Sequence, residues 1–457
     1  MNGKSDWKQL IAIFAVALLV RMLAVGWFEI RPASPLPDEE TYLGLADDIT
    51  FEGAFRMHEP AWRPLVESLH KDMQQKKAML QMGEQRLLLE DFPGVQRYMQ
   101  HEPMYPLVIA AVMRATNQKD AVEAVRTMRV LQAFMGAISA MLVFLVASHF
   151  FDGRGRAWAG WIAALYPPWV YATGLMLTET MFIMLLLVCW YLAMRILEKP
   201  TPTDVLMCGL FASAAVLTKG SSLGLFVVLA PVLVISSPRK LGALAAAAAL
   251  LVIIAIGISP WVARNYQITR LQNQETGISD RGNVVITTCS VGKSLYEATG
   301  PEANGGPGME RIKVPTLLGT MTEREVDEYY YKEAVSAIRK NPGRFLKLAA
   351  VKFARTWSAT PNYQGYRKPI YMAVTAASVI PVVVLGVWGW WLARRRVREW
   401  VVLLLPVAYF TMLHMVFVGS VRYREPVMGF LMVLAGVALA GLLKTKQQKL
   451  EEMETGQ

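Results

Sequence analysis

Residues Trp7–Phe28 read WKQLIAIFAVALLVRMLAVGWF, and Pro37-Asp38-Glu39-Glu40-Thr41-Tyr42 follows them after a short link. The first stretch is long enough to cross a hydrocarbon core of ~30 Å, which takes ~20 mainly apolar residues in a helix. It exceeds a signal-peptide core and lacks a small-residue cleavage site, so it is expected to stay as a span. The rest of the chain repeats the pattern. Apolar blocks recur at about Met128–Phe150, Ala157–Tyr171, Leu175–Ile196, Val205–Leu217, Leu223–Ile235, Leu241–Ile258, Ile370–Leu392, Trp400–Val418 and Val427–Leu443. The expected fold class is an all-α polytopic membrane protein with about ten transmembrane helices. Composition agrees: 54% of the 457 residues are hydrophobic and 18% charged, against roughly 25% charged in soluble domains.

The blocks divide the chain into a first transmembrane helix (1–28), an external loop (29–127), a helix bundle (128–260), a second external region (261–368), C-terminal helices (369–443) and a tail (444–457). Alternate threading puts Lys4, Arg154, Arg156, Arg195, Lys199, Arg239, Lys240, Arg394–Arg396 and Lys444 on one side. Cytoplasmic loops carry such an excess of Lys and Arg, so both termini are expected in the cytoplasm and both long polar stretches outside. The net charge of +11 is spread over these short loops. That placement argues against a nucleic-acid partner and for contact with membrane lipids. Cys189, Cys208 and Cys289 have no metal or disulfide spacing and read as packing residues.

In the first external stretch, Pro64–Glu90 places Leu65, Leu69, Met73 and Leu80 at roughly helical spacing. It reads as an amphipathic helix, on the membrane or against the other loop. Met104–Met113 is too short to span and is expected along the interface. Gly300–Gly308 reads as loop, and Glu323–Ile338 and Pro342–Trp357 as helices.

The chemistry-bearing residues gather at the outer ends of the blocks. Pro37–Tyr42 alone is an ordinary helix start, with acidic residues in the first turn. Its carboxylates would also lie where a lipid phosphate meets an acceptor hydroxyl. His101-Glu102-Pro103-Met104-Tyr105-Pro106, Thr178-Glu179, Lys219 and Arg422-Tyr423-Arg424-Glu425-Pro426 fall on the same face. Basic residues outside run against the positive-inside bias. They anchor lipid head groups on one reading and bind a phosphate on the other.

Asp38, Glu39, Tyr42 and Ala46 after the first span and the His101–Pro106 run belong to a longer set. It continues with Leu177–Glu179, Leu217–Gly220, Pro260–Asn265 and Arg422–Pro426. Together they resemble the GT-C membrane glycosyltransferases, in the bacterial branch related to protein O-mannosyltransferases and the lipid A aminoarabinose transferase. The insert 64–100 is longer than that pattern has. The resemblance implies a GT-C fold in a bacterial inner membrane. It also implies a polyprenyl-phosphate-linked sugar donor, a lipid, glycan or protein acceptor, and inversion at the anomeric carbon. A phosphate leaving group is a weak base, so the reaction needs a general base and cations more than a general acid. Asp38 matches the family's catalytic aspartate and is the expected general base, and Glu39 is a second catalytic candidate that could orient the acceptor or hold a divalent metal. Glu179 and His101 are candidates for the acceptor or a divalent metal, on which the sequence does not decide. Lys219, Arg264, Arg422 and Arg424 are candidates for the donor phosphate. A lipid-linked glycan polymerase or ligase shares the donor class. A lipid-linked sugar transporter would place ionisable groups near the bilayer midplane, often in inverted repeats.

Overall fold

The structure is a computed structural model, describing residues 4–30, 37–51, 53, 99–118, 121–151, 153–276, 284–308, 312, 322–394 and 397–455. The expected helix in Pro64–Glu90 lies outside them. Among the described residues there is helix and no strand. Seven helices are long and apolar enough to cross a membrane, and Met104–Thr116, Pro202–Thr218 and Gly220–Ser236 are shorter apolar helices. The protein is an integral membrane protein of all-α class.

In chain order the first helices are α1 (Lys4–Ile30), α2 (Pro37–Phe51), α3 (Met104–Thr116), α4 (Ala121–Ser148), α5 (Arg154–Leu165) and α6 (Pro167–Ala172). Next come α7 (Glu179–Glu198), α8 (Pro202–Thr218), α9 (Leu223–Ser236) and α10 (Lys240–Thr276). Helices α11 (Val291–Thr299), α12 (Glu323–Lys340) and α13 (Pro342–Thr356) follow, and the chain closes with α14 (Pro369–Ala393), α15 (Val397–Val416) and α16 (Glu425–Thr455). Within their spans, α4, α7 and α16 bury 67%, 78% and 72% of residues, against 17% for α14. The first three form the centre, around Phe144, Leu186, Trp190 and Phe430. On α1 and α14, exposed Leu19, Leu23, Trp27, Val384 and Trp391 make the outer surface, which in a bilayer meets lipid rather than water.

The expected block Ala157–Tyr171 is broken. Helix α5 stops at Leu165 because Pro167 and Pro168 have no N–H to give the carbonyls four residues back, those of Ala163 and Ala164. Buried Arg21 of α1 supplies the missing donors: Nη1 donates to the Ala164 carbonyl at 2.9 Å and Nη2 to that of Ala163 at 3.3 Å. Its guanidinium fits because position 136 is glycine. A Cβ there would stand 2.4 Å from Arg21 Nε. A charged residue inside the first span is thus explained by backbone satisfaction.

The expected span Leu241–Ile258 is part of the longer α10, which runs through Pro260 to Thr276. The two helices expected in the second polar stretch form, as α12 and α13. Helix α12 starts with a reciprocal capping box between Thr322 and Glu325. Helix α11 packs on α12 so closely that a Cβ on Gly292 would lie 1.9 Å from the Asp327 carbonyl, which only glycine avoids.

Candidate active site

Four side chains from distant parts of the chain meet at one end of the bundle. Arg422, in the short turn Val421–Arg424 before α16, donates from Nη1 to Asp38 Oδ2 at 2.8 Å and from Nε to Glu179 Oε1 at 2.5 Å. Lys219 Nζ lies 3.6 Å from the same Glu179 oxygen. Asp38 stands in the first turn of α2, Glu179 opens α7, and Lys219 ends α8. Glu179 is buried, whereas the side chain of Asp38 is 42% exposed and that of Arg422 29%. The cluster therefore opens on the Asp38 side.

Each member is held by its local backbone. The turn before Glu179 cannot continue α6, so its polar groups need outside partners. Gln132 of α4 donates to the carbonyls of Thr173 and Leu175 at 3.0 and 2.9 Å, and Glu39 Oε1 accepts from Met176 N–H at 2.6 Å. Glu39 thus fixes the entry to Glu179, while its neighbour Asp38 points to Arg422. Tyr105 donates to Gln132 Oε1 at 3.1 Å and meets Tyr42 edge-on at 5.2 Å. His101 also meets Tyr42 edge-on, at 5.4 Å. Burial lowers the His101 imidazole to about 4 against the pull of Asp38, with Lys293 and Arg422 lowering it further. The ring is neutral near pH 7. Lys219 Nζ sits 5.6 Å from the ring centres of both Phe182 and Tyr423, and Tyr423 stacks on His414 at 4.3 Å. An ammonium facing two aromatic rings is attracted by their quadrupoles.

Two expected cations stand apart from these contacts. Buried Arg424 donates from Nη1 to the Thr356 and Ser358 carbonyls, and its Nε lies 3.4 Å from Glu425. It ties the end of α13 to the last span. Arg264 lies over Trp261 at 4.5 Å and donates to Asn265 Oδ1 at 2.9 Å. Trp261 and Asn265 themselves donate to the Thr287 carbonyl at 2.7 and 3.2 Å. Pro260–Asn265 therefore holds the loop before α11.

Sequence reading passed over three groups around this site. Glu102 Oε1 accepts from Gly220 N–H at 2.7 Å. Glu323 accepts from Met99 N–H and from Gln100, at 3.0 and 3.3 Å, and burial raises it to about 7 against those bonds and the charges of Arg264 and Lys293. Lys293, lowered by burial, acts electrostatically on His101. The Glu102 in the His-Pro run was visible in the sequence. Glu323 and Lys293 had no distinguishing signal.

The carboxylate oxygens facing the cluster are engaged by cations or by the backbone, while buried Glu179 Oε2 has no hydrogen-bond partner among the described residues. Glu179 Oε1 is shared by two cations, Asp38 Oδ2 by one, and Glu39 Oε1 by an amide. Among the described residues no three His, Cys, Asp or Glu side chains converge as metal ligands. A divalent cation would sit against Arg422 and Lys219, so no step is assigned to one.

Residues 100–263 match the sequence profile of the dolichyl-phosphate-mannose-protein mannosyltransferase family. No curated protein sequence matches the chain. Among solved structures, an archaeal oligosaccharyltransferase from Archaeoglobus fulgidus, in complex with an inhibitory peptide and a dolichol-phosphate, superposes with a TM-score of 0.54 at 11% identity. The match covers 97% of this chain and 52% of that one. The same enzyme's apo form gives 0.54 at 12% identity, covering 98% and 52%. ArnT from Cupriavidus metallidurans in the apo state gives 0.40 at 14% identity, covering 95% and 78%. This chain thus spans about half the length of the oligosaccharyltransferase chains, 52% in each case. The chain has the GT-C fold of membrane glycosyltransferases, and in residues 100–263 it resembles the dolichyl-phosphate-mannose-protein mannosyltransferases.

Proposed function

We propose that the protein transfers a sugar from a polyprenyl-phosphate-linked donor to a hydroxyl of a lipid, glycan or protein acceptor at the outer membrane face. The observation that carries this reading is Arg422 bridging Asp38 and Glu179 with Lys219 alongside. A base and two cations come together from separate elements, as transfer from a phosphate requires. The matched family profile supports the donor class, as does the dolichol-phosphate in the oligosaccharyltransferase complex.

In this reading Asp38 takes the proton from the acceptor hydroxyl as its oxygen attacks the anomeric carbon. The carbon–oxygen bond to phosphate breaks on the opposite face, and the configuration inverts. The polyprenyl phosphate leaves with the bonding electron pair, its charge met by Lys219 and Arg422. Glu179 orients these two cations by charge-assisted contacts. An arriving phosphate competes with Asp38 for Arg422, so donor binding frees the base. The buried Arg424 is assigned to packing, and Arg264 to the loop before α11. Glu39 positions the Glu179 turn, and neutral His101 lines the acceptor side. Loop charge supports cytoplasmic termini and an outward-facing site.

Mass spectrometry of lipids co-purified with the native protein tests the donor class. A polyprenyl phosphate or its glycosylated form is expected in the wild type and depleted in Arg422→Ala with Lys219→Ala. Equal lipid content in both would remove phosphate binding from these residues.

A further inference from the structure

We propose that Glu102 is a positioning residue, setting the Lys219–Gly220 peptide so that the Lys219 ammonium faces the Glu179–Arg422 pair. This inference rests on the reading of Lys219 as a phosphate-binding cation. Lys219 caps the C-terminal end of α8, directly after Thr218, and has an extended backbone, φ −149° and ψ 95°, before the short turn Gly220–Ser222. A lysine at a helix end normally has several backbone and side-chain options. Here its backbone is held on every side. Lys219 N–H donates to the Ala215 carbonyl at 2.9 Å, and its own carbonyl accepts from Ser222 N–H at 2.9 Å. The next amide, Gly220 N–H, donates to Glu102 Oε1 at 2.7 Å. The peptide unit leaving Lys219 is therefore fixed at both its oxygen and its nitrogen. Its plane sets ψ of Lys219, and with it the direction in which the side chain departs.

The chain turns away from α8 at this point, into the turn Gly220–Ser222, and that amide takes its acceptor from a distant part of the chain. Glu102 comes from the first polar stretch, 118 residues away in sequence. The fit is close enough to exclude a side chain at position 220. A Cβ there would stand 2.7 Å from both Glu102 Oε1 and Thr287 Cβ. Leu-Thr-Lys-Gly at Leu217–Gly220 thereby gains a physical reason for its glycine. Glu102 also adjoins His101, so one carboxylate ties the lysine turn to the run that faces Tyr42. Burial raises the Glu102 carboxyl, while the Gly220 amide and the nearby Lys219 charge lower it. Its bond to the backbone needs an acceptor oxygen rather than a charge.

That distinction supplies the test, binding of undecaprenyl phosphate to the full chain in nanodiscs, with thermal unfolding as a check on folding. Lys219→Ala removes a charge-assisted contact of ~1.5–3 kcal/mol, about tenfold or more in affinity. Glu102→Ala is expected to lose a comparable factor. Glu102→Gln, which keeps an acceptor oxygen, should recover most of it. In the doubly substituted Glu102→Ala/Lys219→Ala chain the loss should be no greater than with Lys219→Ala alone. Factors that multiply, or Glu102→Ala binding like the wild type while Lys219→Ala is impaired, would overturn the positioning role. Unimpaired binding by Lys219→Ala would instead refute the phosphate reading of Lys219, and this inference with it.

Discussion

Arg422→Ala separates what the Asp38–Arg422–Glu179–Lys219 cluster does for stability from what it does in the proposed transfer. Glu179 has a side chain only 4% exposed. Its Oε1 takes Arg422 Nε at 2.5 Å and Lys219 Nζ at 3.6 Å, and its Oε2 has no hydrogen-bond partner among the described residues. Removing the guanidinium leaves a buried carboxylate supported by Lys219 alone. Breaking one side of a buried pair typically costs 3–5 kcal/mol. Lys219 remains and the Arg422 side chain is 29% exposed, so the low end applies, about 3 kcal/mol. In a chain of this size that is a fall of about 3 °C in unfolding midpoint, read by thermal scanning in detergent. Adding Glu179→Gln removes the stranded charge, so the double variant should regain most of that midpoint. Transfer activity should stay low in both, because the phosphate cation is still missing. An Arg422→Ala midpoint within about 1 °C of wild type, or no recovery on adding Glu179→Gln, would refute this account of the cluster.

Topology is tested by single cysteines: one at Gly153 or Arg395 should react with an impermeant reagent only from the cytoplasm, and one at Asn304 only from outside. Labelling of Asn304 from the cytoplasm would reverse the orientation. Glu323 is raised from an ordinary 4.5 to about 7 by burial, so it binds a proton more tightly folded than unfolded. Its stabilising effect is complete below 4.5 and lost as pH rises through about 7. Glu323→Gln should flatten that part of the stability–pH curve, measured as unfolding midpoint against pH. Gly136→Ala should destabilise by about 1–3 kcal/mol through overpacking against Arg21. Unchanged stability on thermal scanning would show that the Arg21 niche is loose.

The spans were legible in the sequence because hydropathy is additive along a helix, and α1, α4 and α14 lie close to the expected blocks. Where backbone chemistry overrides hydropathy, the reading shifted. Pro167 and Pro168 split one apolar block, while Pro260 sits inside α10 without ending it. The cationic residues show the other limit. Arg422 and Arg424 are two positions apart in one motif, yet one bridges Asp38 and Glu179 and the other binds carbonyls below α13. Which way each side chain leaves a short turn depends on packing from distant helices, and that information is absent from local sequence. The pairing of Glu102 with Gly220 is likewise a long-range contact between two motifs, each visible alone.

The central claim is that Asp38 accepts the acceptor's proton, and Asp38→Asn tests it with little disturbance to the fold. Asn keeps the shape in the first turn of α2 and loses a helix-terminus charge contribution of ~0.3–1 kcal/mol. The pair with Arg422 is half open to solvent, so its loss is small as well. Removing a general base typically costs ~10²–10⁴-fold. Sugar transfer from an undecaprenyl-phosphate-linked donor should fall by at least the lower figure, at unchanged expression. Binding of undecaprenyl phosphate should be retained, because Arg422 is then released to the phosphate. Near-normal turnover by Asp38→Asn would contradict the mechanism and pass the role of base to another carboxylate.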